Sequence, residues 1–209
     1  MTQANQEATR AVIPALVRKA VSFELGVWRS LYRWTMRRPR VPDTGAEAFS
    51  YAGAVAPLLW VFIAVSAIEV PVAHLILPWA TARVIVLALG VWGLTWMLGL
   101  LASLKVHPHI VGDSGLRIRY GTTVDITIPW DAIATIRVDR HDLPKSRTVQ
   151  LSRTQTGTVL HIGIASQTNV HVVLHHSVTV PLPKGHEPIT ELRFYADDPR
   201  ALVDRARRT

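Results

Sequence analysis

The hydrophobic rhythm of the chain changes twice, and each rhythm predicts a different kind of element. Across residues 12–38, Arg18, Ser22, Arg29, Arg33 and Arg37 recur at spacings of four and seven, which stacks them on one face of a helix. Val17, Val21, Trp28 and Leu31 lie on or near another face, with Trp34 beside them. A basic face opposite a Trp-containing apolar face predicts a helix lying in the headgroup region of a bilayer. The alternative is an ordinary helix packed on the protein's own domain. Pro39, Pro42 and Gly45 end the pattern.

From Tyr51 to Leu104 the periodicity gives way to nearly continuous apolar sequence in which only Glu69 and Arg83 carry formal charge. Roughly 20 apolar residues cross the ~30 Å of a bilayer core. Two spanning helices are therefore predicted, one from Tyr51 to about Val72 or Leu77 and one from Arg83 to Leu104. Pro71 should end or kink the first, and Gly90, Gly93 and Gly99 let the second approach it closely. The connection around residues 77–82 is too short to recross, so the pair forms a hairpin with both flanks on one side.

Beyond His107 the period becomes two. Leu116, Ile118 and Tyr120 alternate with Arg117 and Arg119; Val124, Ile126, Ile128 and Trp130 alternate with Asp125 and Thr127. A three-residue link at residues 121–123 brings both apolar sets to one face and sets Arg119 opposite Asp125 on the solvent face. Further strands are predicted at residues 135–138, 148–151, 159–164, 170–174, 178–182 and 192–195. Asp197 and Asp198 before Pro199 read as the cap of a helix over residues 199–208. The organisation is thus an N-terminal arm (1–50), a membrane hairpin (51–104) and a β domain (105–209).

Composition sharpens this. The chain has 209 residues, a mean hydropathy of +0.22 and a net charge of +8. Of its Lys and Arg residues, 8 precede the apolar block, 1 lies within it and 14 follow it. Excess positive charge marks cytoplasmic flanks, so both termini are expected inside the cell, with the protein a multi-pass plasma-membrane protein. The N-terminus lacks a signal-peptide pattern, and the first span is expected to act as its own insertion signal. There are no cysteines, which excludes disulfides, thiolate metal sites and cysteine nucleophiles.

Gly115-Leu116-Arg117-Ile118-Arg119-Tyr120-Gly121, followed by Ile128-Pro129-Trp130-Asp131-Ala132-Ile133-Ala134-Thr135-Ile136, resembles the opening of bacterial pleckstrin-homology-like (PH-like) domains. In that family a strand ends in an aromatic-rimmed turn whose isoleucine plugs a barrel. Leu192-Arg193-Phe194-Tyr195-Ala196-Asp197-Asp198-Pro199 looks like its last strand and helix cap, and two upstream membrane helices are similar to membrane proteins bearing such domains. The resemblance covers roughly residues 51–208. It implies a membrane helical hairpin plus an all-β PH-like barrel capped by a C-terminal helix. No catalytic residues are carried over, and the uncharged Gly121-Thr122-Thr123 link lacks the basic loop of phosphoinositide-binding members.

Candidate chemistry is sparse. Glu69, His74 and Arg83 form an intramembrane polar cluster in which Glu69 could pair with Arg83, contact a partner, or handle protons or ions. His107 and His109 are splayed by Pro108; His161, His171 and His175 share an outward parity and would meet if their strands pair, yet no metal site is expected from either set. No nucleophile motif, zinc-protease motif or phosphate loop occurs, so neither enzyme activity nor a cofactor is expected. Arg29, Arg33, Arg37, Arg38, Arg117, Arg119 and Arg137, together with Arg140, Lys145 and Arg147, are candidates for contact with an anionic surface. The expected function is non-catalytic: a tethered domain that binds a protein or peptide partner or the inner leaflet. An oligomeric transporter or channel subunit using Glu69 and His74, and a membrane-bound nucleic-acid binder, are the alternatives.

Overall fold

The computed structural model describes residues 24–36, 45–183 and 185–209. Residues 24–35 are helical (α1); Val17, Arg18, Val21, Ser22, Arg37 and Arg38 lie outside the described residues. Two apolar helices follow, α2 (Ala56–Ile76) and α3 (Ala80–Val106). Both are long and apolar enough to cross a membrane, at about 31 and 40 Å respectively. Most of α2 is exposed, including Leu58, Phe62, Val65, Ile68 and Val72, the distribution a lipid-facing helix requires.

Pro71 does not end α2, which runs on to Ile76. Arg83 closes the hairpin by donating from Nε and Nη2 to the carbonyl of Leu77, at 3.3 and 2.9 Å. The helices meet closely at Gly90, where a Cβ would overlap Val70. Gly99 instead receives Val27 of α1, and Trp96 Nε1 donates to Glu24 at 3.2 Å.

The rest is β-rich. A four-stranded sheet runs β1 (Glu47–Phe49), β2 (His109–Gly112), β3 (Gly115–Tyr120) and β4 (Val124–Ile128) in sequence order. After a 3₁₀ turn at Trp130–Ala132 come β5 (Ile133–Asp142), β6 (Val149–Thr154), β7 (Gly157–Ile162), β8 (Gln167–Leu182) and β9 (Gly185–Phe194). Their spatial order is β5-β8-β9-β7-β6, with β7 and β9 parallel. The C-terminal helix is α4 (Pro199–Ala206). The two sheets are not closed into one barrel.

One apolar core joins them. Leu116, Ile118, Ile126 and Ile128 of the first sheet meet Leu160, Ile162, Val172, Leu192 and Phe194 of the second, and Leu202 and Val203 of α4 join the cluster. The 121–123 link has the predicted register, with Arg119 opposite Asp125. The solvent-face reading of that pair needs correcting. Arg119 is 1% exposed, and Asp125 takes its two short bonds, both 2.6 Å, from Arg117. The cause is what lies over this end of the sheet: Gly26 of α1 packs on Thr122, and Ser103 of α3 packs on Gly121.

The C-terminal end of α3 is part of this domain. Leu101, Ala102, Leu104 and Val106 are buried, and Leu104 packs with Tyr51, Ala52 and Ile164. Asp198 caps α4 by accepting from Ala201 N at 3.0 Å. Asp197 does not cap, contrary to the sequence reading: both its oxygens accept from Gly53 N, at 3.0 and 2.9 Å, just before α2. The helical hairpin is therefore anchored to the β domain at each end. Replacing Asp197 with Ala should speed amide exchange around residues 50–56 about tenfold; hydrogen-exchange mass spectrometry in detergent measures it, and an unchanged rate would show the clamp to be idle.

Candidate functional site

The chemistry-bearing side chains converge on the second sheet. Across its five strands the register aligns Gln150, His161, Arg193, His171 and Arg137 in one row. In a flat sheet β5 and β7 would stand about 14 Å apart at three strand spacings. His141 of β5 nevertheless stacks on His161 of β7 with ring centroids 5.8 Å apart. The sheet therefore bends round its polar face, helped by register shifts in β5 between Val138 and His141 and in β8 between Val173 and Val178. The loop 143–147 folds across the opening, its Lys145 and Arg147 carbonyls accepting from Gln150 Nε2 at 2.6 and 2.8 Å.

The result is a cavity of about 750 Å³. Leu143, Pro144, Val149, Leu182 and Pro183 give it apolar walls, and His161, Ser152, Glu191 and Arg193 give it polar groups.

Its polar groups are organised around His171, which is 4% exposed. Nε2–H donates to Glu191 at 2.8 Å, and Nδ1 accepts from Arg137 and Arg193 at 3.2 and 3.3 Å. That pattern fits the neutral ring. Burial, and then the neighbouring Arg193, hold the His171 pKa below its ordinary value despite Glu191. Asp139 sits 3.6 Å from Nδ1 but takes its shorter contact, 3.0 Å, from Arg193. With Nδ1 already accepting, Asp139 is the partner of the arginine rather than of the imidazole.

His161 shares a 2.8 Å hydrogen bond with Ser152 through Nε2, and its buried Nδ1 has no hydrogen-bond partner among the described residues. Burial, and then His141, push its pKa down to about 4. A serine–histidine pair suggests nucleophilic catalysis, but this one lacks the carboxylate that orients the ring in such sites. A base titrating near 4 is also badly matched to neutral pH. His161 and His171 do share the predicted face, with Arg193 between them; His175 is exposed within the shift in β8. No group of metal-ligating side chains occurs among the described residues.

The remaining candidates are dispersed. His107 Nδ1 bonds the Ser103 carbonyl at 2.9 Å. His109 Nδ1 accepts from Arg119 N at 3.1 Å, so its Nε2–H donates to the Tyr195 carbonyl at 2.9 Å. Glu69 is exposed on α2 and makes no ion pair with Arg83, whose guanidinium is spent on Leu77. Arg29 is exposed and Arg33 half-buried on α1; Arg117 is bound by Asp125; Arg137 reaches Asp139 at 3.6 Å; Arg119 is buried and unavailable to a surface. A stripe that the sequence reading did not isolate, Leu25, Trp28, Tyr32 and Met36, is exposed on α1 at spacings of three and four. The signal lay in those spacings, but only the packing of Val27 on Gly99 shows which apolar face is free.

Comparison of the chain with protein-family models, with curated proteins and with solved structures finds no match in any of the three.

Burial pushes the His109 pKa down to about 4, against about 6.5 unfolded. The unfolded chain then binds the extra proton between these values, so this contribution to stability is complete above pH 6.5 and is lost as pH falls toward 4. The expected loss is about 3 kcal/mol. Thermal unfolding midpoints between pH 7 and pH 4 should fall more steeply for the native chain than for His109→Gln. Parallel curves would refute the assignment.

Proposed function

We propose that this chain is a non-catalytic membrane tether of the bacterial PH-like kind. Its hairpin crosses the plasma membrane with both termini in the cytoplasm, and it holds the β domain against the inner leaflet to bind a protein or peptide partner. The observation that carries the reading is the continuity of α3, whose exposed apolar length runs without a break into residues buried in the β domain's base. A binding domain joined in this way is confined near the membrane, where its effective concentration for partners is raised. The PH-like part of the reading rests on the opening and closing motifs and on a C-terminal helix that packs into the core.

Two features support contact with the leaflet beside the hairpin. Lys105 Nζ lies 5.9 Å from the Trp34 ring and 6.0 Å from the Trp60 ring, a cation–aromatic grouping suited to the headgroup level. The exposed Leu25, Trp28, Tyr32 and Met36 stripe on α1 would enter the same layer, flanked by Arg29 and Arg33.

The absence of cysteine makes topology directly testable. With single cysteines at Trp79 or Ser177, an impermeant maleimide added to intact cells should label only Trp79→Cys. Labelling of Ser177→Cys would place the β domain outside and overturn the orientation. Partner binding is tested by proximity labelling from the C-terminus in cells, with Ile133→Asp disrupting the core edge. The native chain should label proteins that the variant does not, and identical sets would remove the partner-binding reading.

A further inference from the structure

Among the described residues the domain has four sheet edges, and three are blunted. β1 is only three residues long, and β4 packs against β8. β5 is interrupted by two register shifts and has its Ile136 carbonyl occupied by Arg207 at 3.1 Å. β6 differs. It pairs with β7 through six consecutive residues without a shift, from Val149 opposite Ile162 to Thr154 opposite Gly157. It contains no proline, its outer side has no strand neighbour among the described residues, and Leu151 is 44% exposed. Natural edges of this length are usually bulged, covered, broken or guarded by charge, because a row of free main-chain donors and acceptors pairs with any extended chain; on β6 charge is the one guard seen among the described residues.

The strand and its flanking turns are basic, while Glu187 and Glu191 line the adjoining cavity. Residues 143–158 contain Lys145, Arg147 and Arg153 and no Asp or Glu. All three cations are exposed and make no ion pair among the described residues. Pairing of β6 with β6 of a second copy would bring these like charges together, which disfavours self-association. An acidic strand would instead be attracted. The 750 Å³ cavity opens beside β6, where Ser152 and Val149 line it, so alternate side chains of an added strand would have somewhere to go.

We propose that β6 is the docking edge for an extended, acidic segment of a partner protein. The segment adds to the sheet as a sixth strand, with main-chain hydrogen bonds supplying affinity and the adjoining cavity receiving apolar side chains at every second position. This rests on the partner-binding reading above and specifies where and how the partner is held.

The test uses the full chain in phosphatidylcholine nanodiscs. The probes are a seven-residue peptide alternating glutamate and valine, its lysine–valine counterpart, and vesicles containing phosphatidylglycerol. Binding is followed by fluorescence anisotropy for the peptides and by co-sedimentation for the vesicles, with amide exchange read in each case. The glutamate peptide should bind and slow exchange within Val149–Thr154 about tenfold. The double variant Arg147→Glu, Arg153→Glu should weaken that binding about tenfold or more and favour the lysine peptide, with its thermal unfolding midpoint unchanged. Equal binding of both peptides by the native chain, or no binding of the glutamate peptide at low salt, would overturn the proposal. So would protection of β6 by the vesicles in the peptide's place, or protection that grows with protein concentration alone. Protection of a different surface by the glutamate peptide would remove the edge but leave the partner-binding reading standing, since labelling in cells tests that reading independently.

Discussion

The structure depends on one helix having to satisfy two surroundings. Over the length suited to a membrane span α3 is apolar almost all round, as a bilayer core requires, since no water is there to solvate a polar group. Its last two turns must bury their side chains in protein instead, and Leu101, Ala102, Leu104 and Val106 do so. Apart from Ser103 and Lys105 little in the helix's own composition marks the change, since Leu and Ala suit either setting. The change is imposed by what packs on it: α1 at Gly99, the 121–123 turn at Ser103, and Tyr51 and Ile164 at Leu104. The base of the β domain is thus built partly from the end of an apolar helix long enough to span a membrane.

A second consequence follows inside the β domain. The second sheet spends its apolar face on the shared core, so its polar face must be covered or solvated. Bending the sheet brings those polar groups together, and a half-buried group of two carboxylates, Asp139 and Glu191, balances Arg137 and Arg193 around a neutral histidine. Balanced charge and complete hydrogen bonding at His171 make such a partly desolvated cluster tolerable. The same bend leaves space over the face, which is the cavity, and leaves β6 at its rim.

Much of this was legible in the residues and some was not. The two apolar helices, the parity of β3 and β4 and the Arg119–Asp125 register follow from spacing alone, because those patterns are local. β1 and β2 escaped notice because they are short, and all four residues of β2 are buried, so no alternation distinguishes its faces. Residues 170–174 and 178–182 read as two strands because the shift between Val173 and Val178 breaks the period, whereas they are one long β8. Arg119 shows the limit of parity: period two tells which face a residue occupies, not what lies over that face. The candidate site was legible only in part, since the parity shared by His161 and His171 is local but their pairing is not. Its row of His161, Arg193, His171 and Arg137 is assembled by a strand order, including the parallel β7–β9 pair, that no local pattern encodes.

The contact between Asp197 and Gly53 bears on mechanics as well as on folding. With α2 held at its start and α3 held at its end, a tilt of the apolar pair would be passed to the β domain at two points, like a rudder fixed to its stock. A change in bilayer thickness that tilts the helices would swing the free edge of β6 nearer to the lipid surface or farther from it.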